Sequence, residues 1–162
     1  MVKSSQRGFT LIELVVVIVI LGILAAFAVP RFARMDRQAR VASVRGLEGS
    51  LRSANMLAHS LWLAAGNNPV SVTMDNVNIP LTNGYPTAAT VQNILAPGSV
   101  VPVGNTTPGR FQPVAVANGI RFQLNGATNP VNCSVTYTWA GGAGVPAIVT
   151  PTVATMTGAN GC

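Results

Sequence analysis

The sequence predicts an α+β fold in which one long N-terminal α-helix packs on a C-terminal antiparallel β-sheet head. The apolar run from Phe9 to Val29 is followed, without a break in helical periodicity, by an amphipathic segment that ends near Ala65. After Pro69 the chain changes to short β-type runs separated by Gly, Pro and Asn. With 162 residues there is room for one ordinary domain and one extended element.

The same changes in composition divide the chain into four segments. We expect a basic leader at residues 1–8, a membrane-spanning helix at 9–29, an amphipathic second half of the helix at 30–65 and a β-rich head at 66–162. At about 1.5 Å per residue the second segment is about 30 Å long, which matches the hydrocarbon core of a bilayer.

Glu13 is the one charged residue in the apolar run. The Leu, Ile, Val and Phe residues of the run favour insertion about twice as strongly as one acid opposes it, so the segment still enters the membrane. The carboxylate contributes nothing to insertion and must find a partner or reach the interface.

Helical periodicity in the second half of the helix predicts a buried apolar stripe with spacings of three and four residues. Its members are Val44, Leu47, Leu51, Ala54, Ala58, Leu61 and Ala65, and a polar stripe beside it holds Arg45, Glu48, Arg52, Asn55 and His59. Gly66 and Pro69 are expected to end the helix. Pro30 lacks a backbone donor, and together with Gly22 it predicts a helix break, as a bend or local loosening.

Strand-type runs fill most of the head. They are Val70–Met74, Val77–Ile79, Phe111–Val116, Ile120–Leu124, Val131–Trp139 and Val145–Val149, with a short helix after Pro86 capped by Thr87. Alternation in the fifth run puts Cys133, Val135, Tyr137 and Trp139 on one face, which we expect to be the core side.

The charge is concentrated near the N-terminus. Most of the net charge of +6 comes from the leader and from six arginines between Arg31 and Arg52. The basic balance therefore reflects a leader and one arginine-rich helix rather than a basic globular face, and a nucleic-acid partner is not expected.

Cys133 and Cys162 have no CxxC partner, and His59 is the single histidine, so zinc binding is poorly supported. A disulfide in an oxidising compartment explains the pair better than two free thiols do, and it places the head outside the cytoplasm. The positive-inside rule alone would instead place the arginine-rich side in the cytoplasm.

Enzyme chemistry is not indicated. One histidine allows no Ser/His/Asp or Cys/His arrangement, and a solvated or intersubunit role suits His59 better than a catalytic one. Asp75, Asn76 and Asn78 offer one carboxylate, which is too few for a strong calcium site. We therefore expect neither a metal nor a cofactor.

Two general interpretations of the N-terminus compete. A secretory signal peptide would be cut near Ala26-Phe27-Ala28, but the apolar run is longer than such peptides use and no break follows it. A plain single-span anchor does not explain why Glu13 is present, nor why arginine is denser after the span than before it.

The segment Arg7-Gly8-Phe9-Thr10-Leu11-Ile12-Glu13-Leu14 resembles the class III leader junction of type IV pilins and pseudopilins, and the resemblance continues through Gly22 and Pro30. It implies that a prepilin peptidase cuts between Gly8 and Phe9 and N-methylates Phe9. It also implies that the helices form the core of a filament and that Glu13 pairs with the N-terminal amine of Phe9 on a neighbouring subunit.

Further resemblance lies in the head. The cysteine pair is similar to the disulfide-bounded region of pilins, whereas major pseudopilins typically lack it. Two short segments resemble sequence motifs of mannose-sensitive haemagglutinin-type pilins: Thr73-Met74-Asp75 and Asn83-Gly84-Tyr85-Pro86-Thr87.

The sequence thus predicts a structural subunit, the major pilin, of a type IVa-like pilus used in attachment. A pseudopilin of type II secretion or a minor pilin is the alternative within the family, and a monomeric membrane-anchored binding protein is the alternative from another class. Expected partners are further copies of the chain, the prepilin peptidase and the inner-membrane assembly platform. The expected location is the inner membrane as a single-pass precursor, and then the cell surface.

Overall fold

A computed structural model of the protein describes residues 8–66, 68–95, 109–139, 148–153 and 162. One helix, α1, covers Leu11–Ala65 and confirms the long N-terminal helix. Gly66 follows it with a φ of +64°, a conformation that glycine adopts at low cost, and its N–H donates to the carbonyl of Leu63 at 3.3 Å. The predicted end of the helix is therefore confirmed.

Helix α1 is assigned without interruption through Gly22 and Pro30. Because Pro30 has no N–H, the carbonyl of Ala26 lacks its usual partner four residues along. A continuous helix can still be bent at such a position. The break between Gly22 and Pro30 stays a prediction.

The chain divides into two compact units, residues 1–38 and residues 39–162. In the first unit the described residues belong almost entirely to the first part of α1. The second unit holds the rest of α1 and the head. The division of the chain into a leader, a membrane-spanning segment, an amphipathic segment and a head stays a prediction.

A first sheet in the head contains three antiparallel strands in the order β1 (Ser71–Met74), β2 (Val77–Thr82) and β3 (Tyr85–Pro86). Asp75 and Asn76 join β1 to β2 with φ angles of 48° and 61°, and Asn and Asp enter this left-handed region more readily than most residues. The turn conformation therefore explains why Asp and Asn occupy these two positions.

The short helix predicted after Pro86 is present as a 3-10 helix, Val91–Ile94, but Thr87 is not its cap. Thr90 is the residue that precedes it. The Thr90 hydroxyl accepts from the N–H of Thr87 at 2.9 Å and contacts the carbonyl of Pro80 at 3.0 Å, so this residue ties the segment to β2.

A second sheet contains four antiparallel strands in sequence order: β4 (Phe111–Val116), β5 (Gly119–Leu124), β6 (Cys133–Thr138) and β7 (Ile148–Val153). The head therefore has two small sheets where the sequence predicted one. The start of β6 was predicted too early, because Pro130–Asn132 form a 3-10 turn. The predicted start of the last strand, residues 145–147, lies outside the described residues.

The core of the second unit lies along the apolar stripe of α1. Val44, Leu47 and Leu51 are buried with residues of the second sheet, including Phe122 and Val135. Further along the helix, Ala58 is buried with residues of the first sheet: Val72, Ile79 and Leu81. The predicted stripe is confirmed at Val44, Leu47, Leu51 and Ala58, while Ala54 and Leu61 are half-buried and Ala65 is exposed.

Candidate functional site

The first turn of α1 is closed by a reciprocal pair of side chains, Thr10 and Glu13. The Oε2 atom of Glu13 accepts hydrogen bonds from the backbone N–H and from the hydroxyl of Thr10, both at 2.9 Å. In return the Thr10 hydroxyl oxygen accepts from the N–H of Glu13 at 3.3 Å. This is a capping box, which satisfies two donors that a helix start would otherwise leave unpaired.

The capping box gives Glu13 an intrachain partner that our sequence analysis missed. The signal was present, because Thr at the cap and Glu three residues later, followed by an apolar run, is the pattern of a capping box. Both bonds from Thr10 reach Oε2, so the arrangement leaves Oε1 able to accept from another donor. Among the described residues, Glu13 is exposed and Oε1 receives no hydrogen bond from a side chain or backbone group.

The first part of α1 is apolar on every side. Each Leu, Ile, Val and Phe from Phe9 to Val29 is exposed, from 42% at Val15 to 93% at Phe9. Within the described part of the chain, α1 is the one helix long and apolar enough to cross a membrane, with a mean hydropathy of 3.0 over its most apolar window. A helix that is apolar all round needs lipid or other protein around it, because water cannot cover it without cost.

The two cysteines form a disulfide in the structure. Cys133, at the start of β6, and Cys162 are 4.9 Å apart between Cα atoms, and both are buried. The bond joins residue 162 to the core side of the second sheet. The expectation that Cys133 faces the core is therefore confirmed.

Of the two roles expected for His59, solvated or intersubunit, the structure does not support the solvated one, and the intersubunit role stays a prediction. Its ring is half-buried and stacks on Tyr85 with centroids 4.3 Å apart, and on Trp62 with centroids 5.5 Å apart. Its Nδ1 lies 3.1 Å from the carbonyl of Gly84, and since a carbonyl only accepts, Nδ1 carries the hydrogen. The histidine thus joins α1 to the turn between β2 and β3.

The three residues considered as a calcium site lie in and next to the turn between β1 and β2. Asp75 and Asn76 form the β1–β2 turn, and Asn78 lies in β2. Among the described residues, no three His, Cys, Asp or Glu side chains come together as a metal site would require.

Comparison with family models identifies the N-terminal segment. Residues 3–29 match the model described as the prokaryotic N-terminal methylation motif. The motif is the signature of type IV pilin precursors, so the chain carries the processing signal of the structural family that contains type IV pilins and pseudopilins. The long helix followed by small antiparallel sheets is the pilin-like α+β arrangement.

The match ends before the second half of α1 and does not include the head. Comparisons with curated proteins and with solved structures found no match.

Proposed function

We propose that this protein is the precursor of a structural subunit, the major pilin, of an extracellular type IV pilus that serves surface attachment. The observation that carries the proposal is the helix that begins at the methylation motif and exposes apolar side chains on every side. Lipid covers such a helix in the precursor, and neighbouring copies cover it in a filament. The chain acts as a structural protein and not as an enzyme.

Processing comes first. A prepilin peptidase cuts between Gly8 and Phe9, after the one glycine of the leader, and N-methylates the new terminus at Phe9. Residues 1–8 are then lost, residues 9–29 form the membrane and filament helix, residues 30–65 continue it, and residues 66–162 form the head.

Assembly depends on Glu13. Once the leader is removed, the amine of Phe9 is a cation on an apolar helix. In a low-dielectric helix bundle a carboxylate is the partner that stabilises such a cation. The capping box uses Oε2 of Glu13, which leaves Oε1 for the amine of Phe9 on a neighbouring subunit.

Two features support a pilin over the alternatives. The buried disulfide between Cys133 and Cys162 is similar to the C-terminal region of pilins and favours a pilin over a secretion pseudopilin. Glu13 favours a polymer over a monomeric membrane anchor, because the capping box occupies Oε2 and leaves Oε1 of this acid, which lies within an apolar helix, for a cation on a neighbouring subunit. The assembly platform of the inner membrane is the partner that transfers the subunit into the filament.

Mass spectrometry of filaments sheared from the cell surface tests this proposal. We expect an abundant polymer of this chain that starts at N-methylated Phe9. A chain that starts at Val29 would show ordinary signal-peptide cleavage, and a chain that stays in the membrane fraction as a monomer would show an anchor. Either result would overturn the pilus proposal, and recovery of the chain as a trace component would make it a minor subunit.

A further inference from the structure

Basic residues outnumber acids in the part of the chain that remains after the leader. Of the ten basic residues Lys3 and Arg7 belong to the leader, which leaves eight arginines against four acids. Three of the arginines, Arg31, Arg34 and Arg37, follow the apolar run directly. We call residues 31–37 the arginine segment.

A second copy of this chain carries the same excess of arginines over acids, so it cannot neutralise that excess. Glu13 lies at the other end of the apolar run, and Glu48 pairs with Arg52 at 2.8 Å. Asp75 lies in the β1–β2 turn. Asp36 lies within the arginine segment itself, so the segment keeps a net positive charge with its own acid counted.

We infer that the arginine segment binds the headgroups of anionic phospholipids on the non-cytoplasmic face of the membrane. The inference goes beyond the pilus proposal, since it holds equally for a subunit that never polymerises. It also gives a role to a charge distribution that the positive-inside rule does not explain.

The position of the arginine segment relative to the apolar run fits this partner. If Phe9 to Val29 fills the hydrocarbon core, the helical rise puts Arg31 about 3 Å beyond it and Arg37 about 12 Å beyond it. The headgroup layer is about 5 to 8 Å thick on each side, and charges act over a Debye length of about 8 to 10 Å. The arginines therefore lie within reach of lipid phosphates.

The side chains around Arg31 suit an interface. Phe27 and Phe32 are exposed by 72% and 67%, and Arg31 is exposed between them in sequence. Aromatic rings can remain in the apolar layer while a guanidinium on its long stem reaches toward the phosphates. Arginine also binds phosphate oxygens through two parallel hydrogen bonds, which a lysine cannot match.

The test measures lipid preference at the boundary of the full-length protein. Wild-type protein is reconstituted in equal amounts of neutral phosphatidylcholine and anionic phosphatidylglycerol, and electron paramagnetic resonance of spin-labelled lipids reports which lipid contacts it. We expect wild type to prefer the anionic lipid by about fivefold or more, as expected for basic residues near such a surface. In Arg31→Gln/Arg37→Gln this preference should fall severalfold, and the basic residues that remain, including Lys3 and Arg7 of the leader, account for what is left.

Three controls separate lipid binding from other effects. The Arg45→Gln/Arg110→Gln variant removes the same charge outside the arginine segment and should keep the wild-type preference. The Arg31→Lys/Arg37→Lys variant should retain most of it, and circular dichroism should show the same helix content in every variant. Equal preference in wild type and in the glutamine variant of the segment, or equal loss in the outside control, would overturn the inference.

Two competitors identify the source of the anion. The preference for the anionic lipid should be the same in inorganic phosphate as in sodium chloride at equal ionic strength. If it abolishes the preference specifically, the segment is a free-anion site. If duplex DNA binds wild type in neutral lipid and displaces the anionic lipid, the partner is a nucleic acid. Either result would contradict the lipid assignment.

Discussion

The hydroxyl of Tyr137 in β6 lies 3.2 Å from Oδ1 of Asn55 in α1. It also donates toward the backbone carbonyl of Pro86 in β3, so one buried hydroxyl connects the helix to both sheets. Tyr137 and Asn55 are both buried. Burial raises the pKa of Tyr137, and the neighbouring Tyr85 raises that pKa further, so the hydroxyl keeps its proton and remains a donor.

Replacing Tyr137 by Phe should lower the free energy of unfolding by about 1 to 3 kcal/mol, because the Pro86 carbonyl and the Asn55 amide lose the one hydroxyl that contacts both of them. Urea unfolding of the full chain in detergent, followed by tryptophan fluorescence, measures this change. In the Phe background, Asn55→Ala should cost less than it does in wild type, since the hydrogen bond is already absent. Additive effects of the two changes would contradict the contact.

Stability should also fall at alkaline pH. The folded pKa of Tyr137 is raised above its unfolded value, so folding retains a proton that the unfolded chain releases. The stabilisation is complete below the unfolded pKa of about 10 and is lost as the pH rises through it toward the folded pKa. Urea midpoints measured across this range should fall more in wild type than in Tyr137→Phe. Parallel decreases would show that Tyr137 is not the group responsible.

Gly84 and Gly66 make a matched pair of left-handed glycines with φ angles of 83° and 64°. A Cβ on Gly84 would come within 2.8 Å of both His59 and Trp62, while a Cβ on Gly66 would meet nothing within 4 Å. Gly66→Ala should therefore cost about 1 to 2 kcal/mol of backbone strain. Gly84→Ala adds overpacking and should cost about 2 to 4 kcal/mol. Thermal unfolding compares the two, and equal costs would contradict the packing of the His59 stack.

The disulfide closes a sequence separation of 29 residues. Cys133→Ser or Cys162→Ser should lower the free energy of unfolding by about 2 to 5 kcal/mol and reduce surface piliation. Adding reductant should lower the free energy of unfolding of wild type by the same amount, and it should not change that of the serine variants. Peptide mapping under non-reducing conditions that finds two free thiols would contradict the bond.

Local patterns predicted the elements whose causes are local. The spacing of Val44, Leu47 and Leu51 identified the buried face of α1, and Gly66 marked its end. The alternating run around Cys133 and Tyr137 identified the core face of β6. In each case the residues that determine the structure lie within a few positions of one another.

Contacts between distant positions could not be predicted in this way. Asn55 was assigned to a polar stripe, but it is buried because Tyr137, which is 82 residues away, meets it in the core. His59 was assigned to the same polar stripe and expected to be solvated or intersubunit, and its stacking on Tyr85 could not be predicted because that ring comes from another element. The number of sheets was also wrong, because strand-type runs indicate strands and not their pairing.

Paired substitutions at Glu13 and Thr10 test the central claim, that the chain polymerises through its N-terminal helix. Glu13→Val and Thr10→Val each break the capping box, but only the first removes the carboxylate. Neither change should reduce membrane insertion or cleavage after Gly8, because the acid opposes insertion. Membrane fractionation of both strains checks this.

Electron microscopy of sheared surface material then counts filaments in the two strains. Loss of one partner from a buried charge pair should slow subunit recruitment by about two to three orders of magnitude. We therefore expect few or no filaments with Glu13→Val and abundant filaments with Thr10→Val. Wild-type filament numbers with Glu13→Val, or an equal loss in both strains, would contradict assembly through the Glu13 carboxylate.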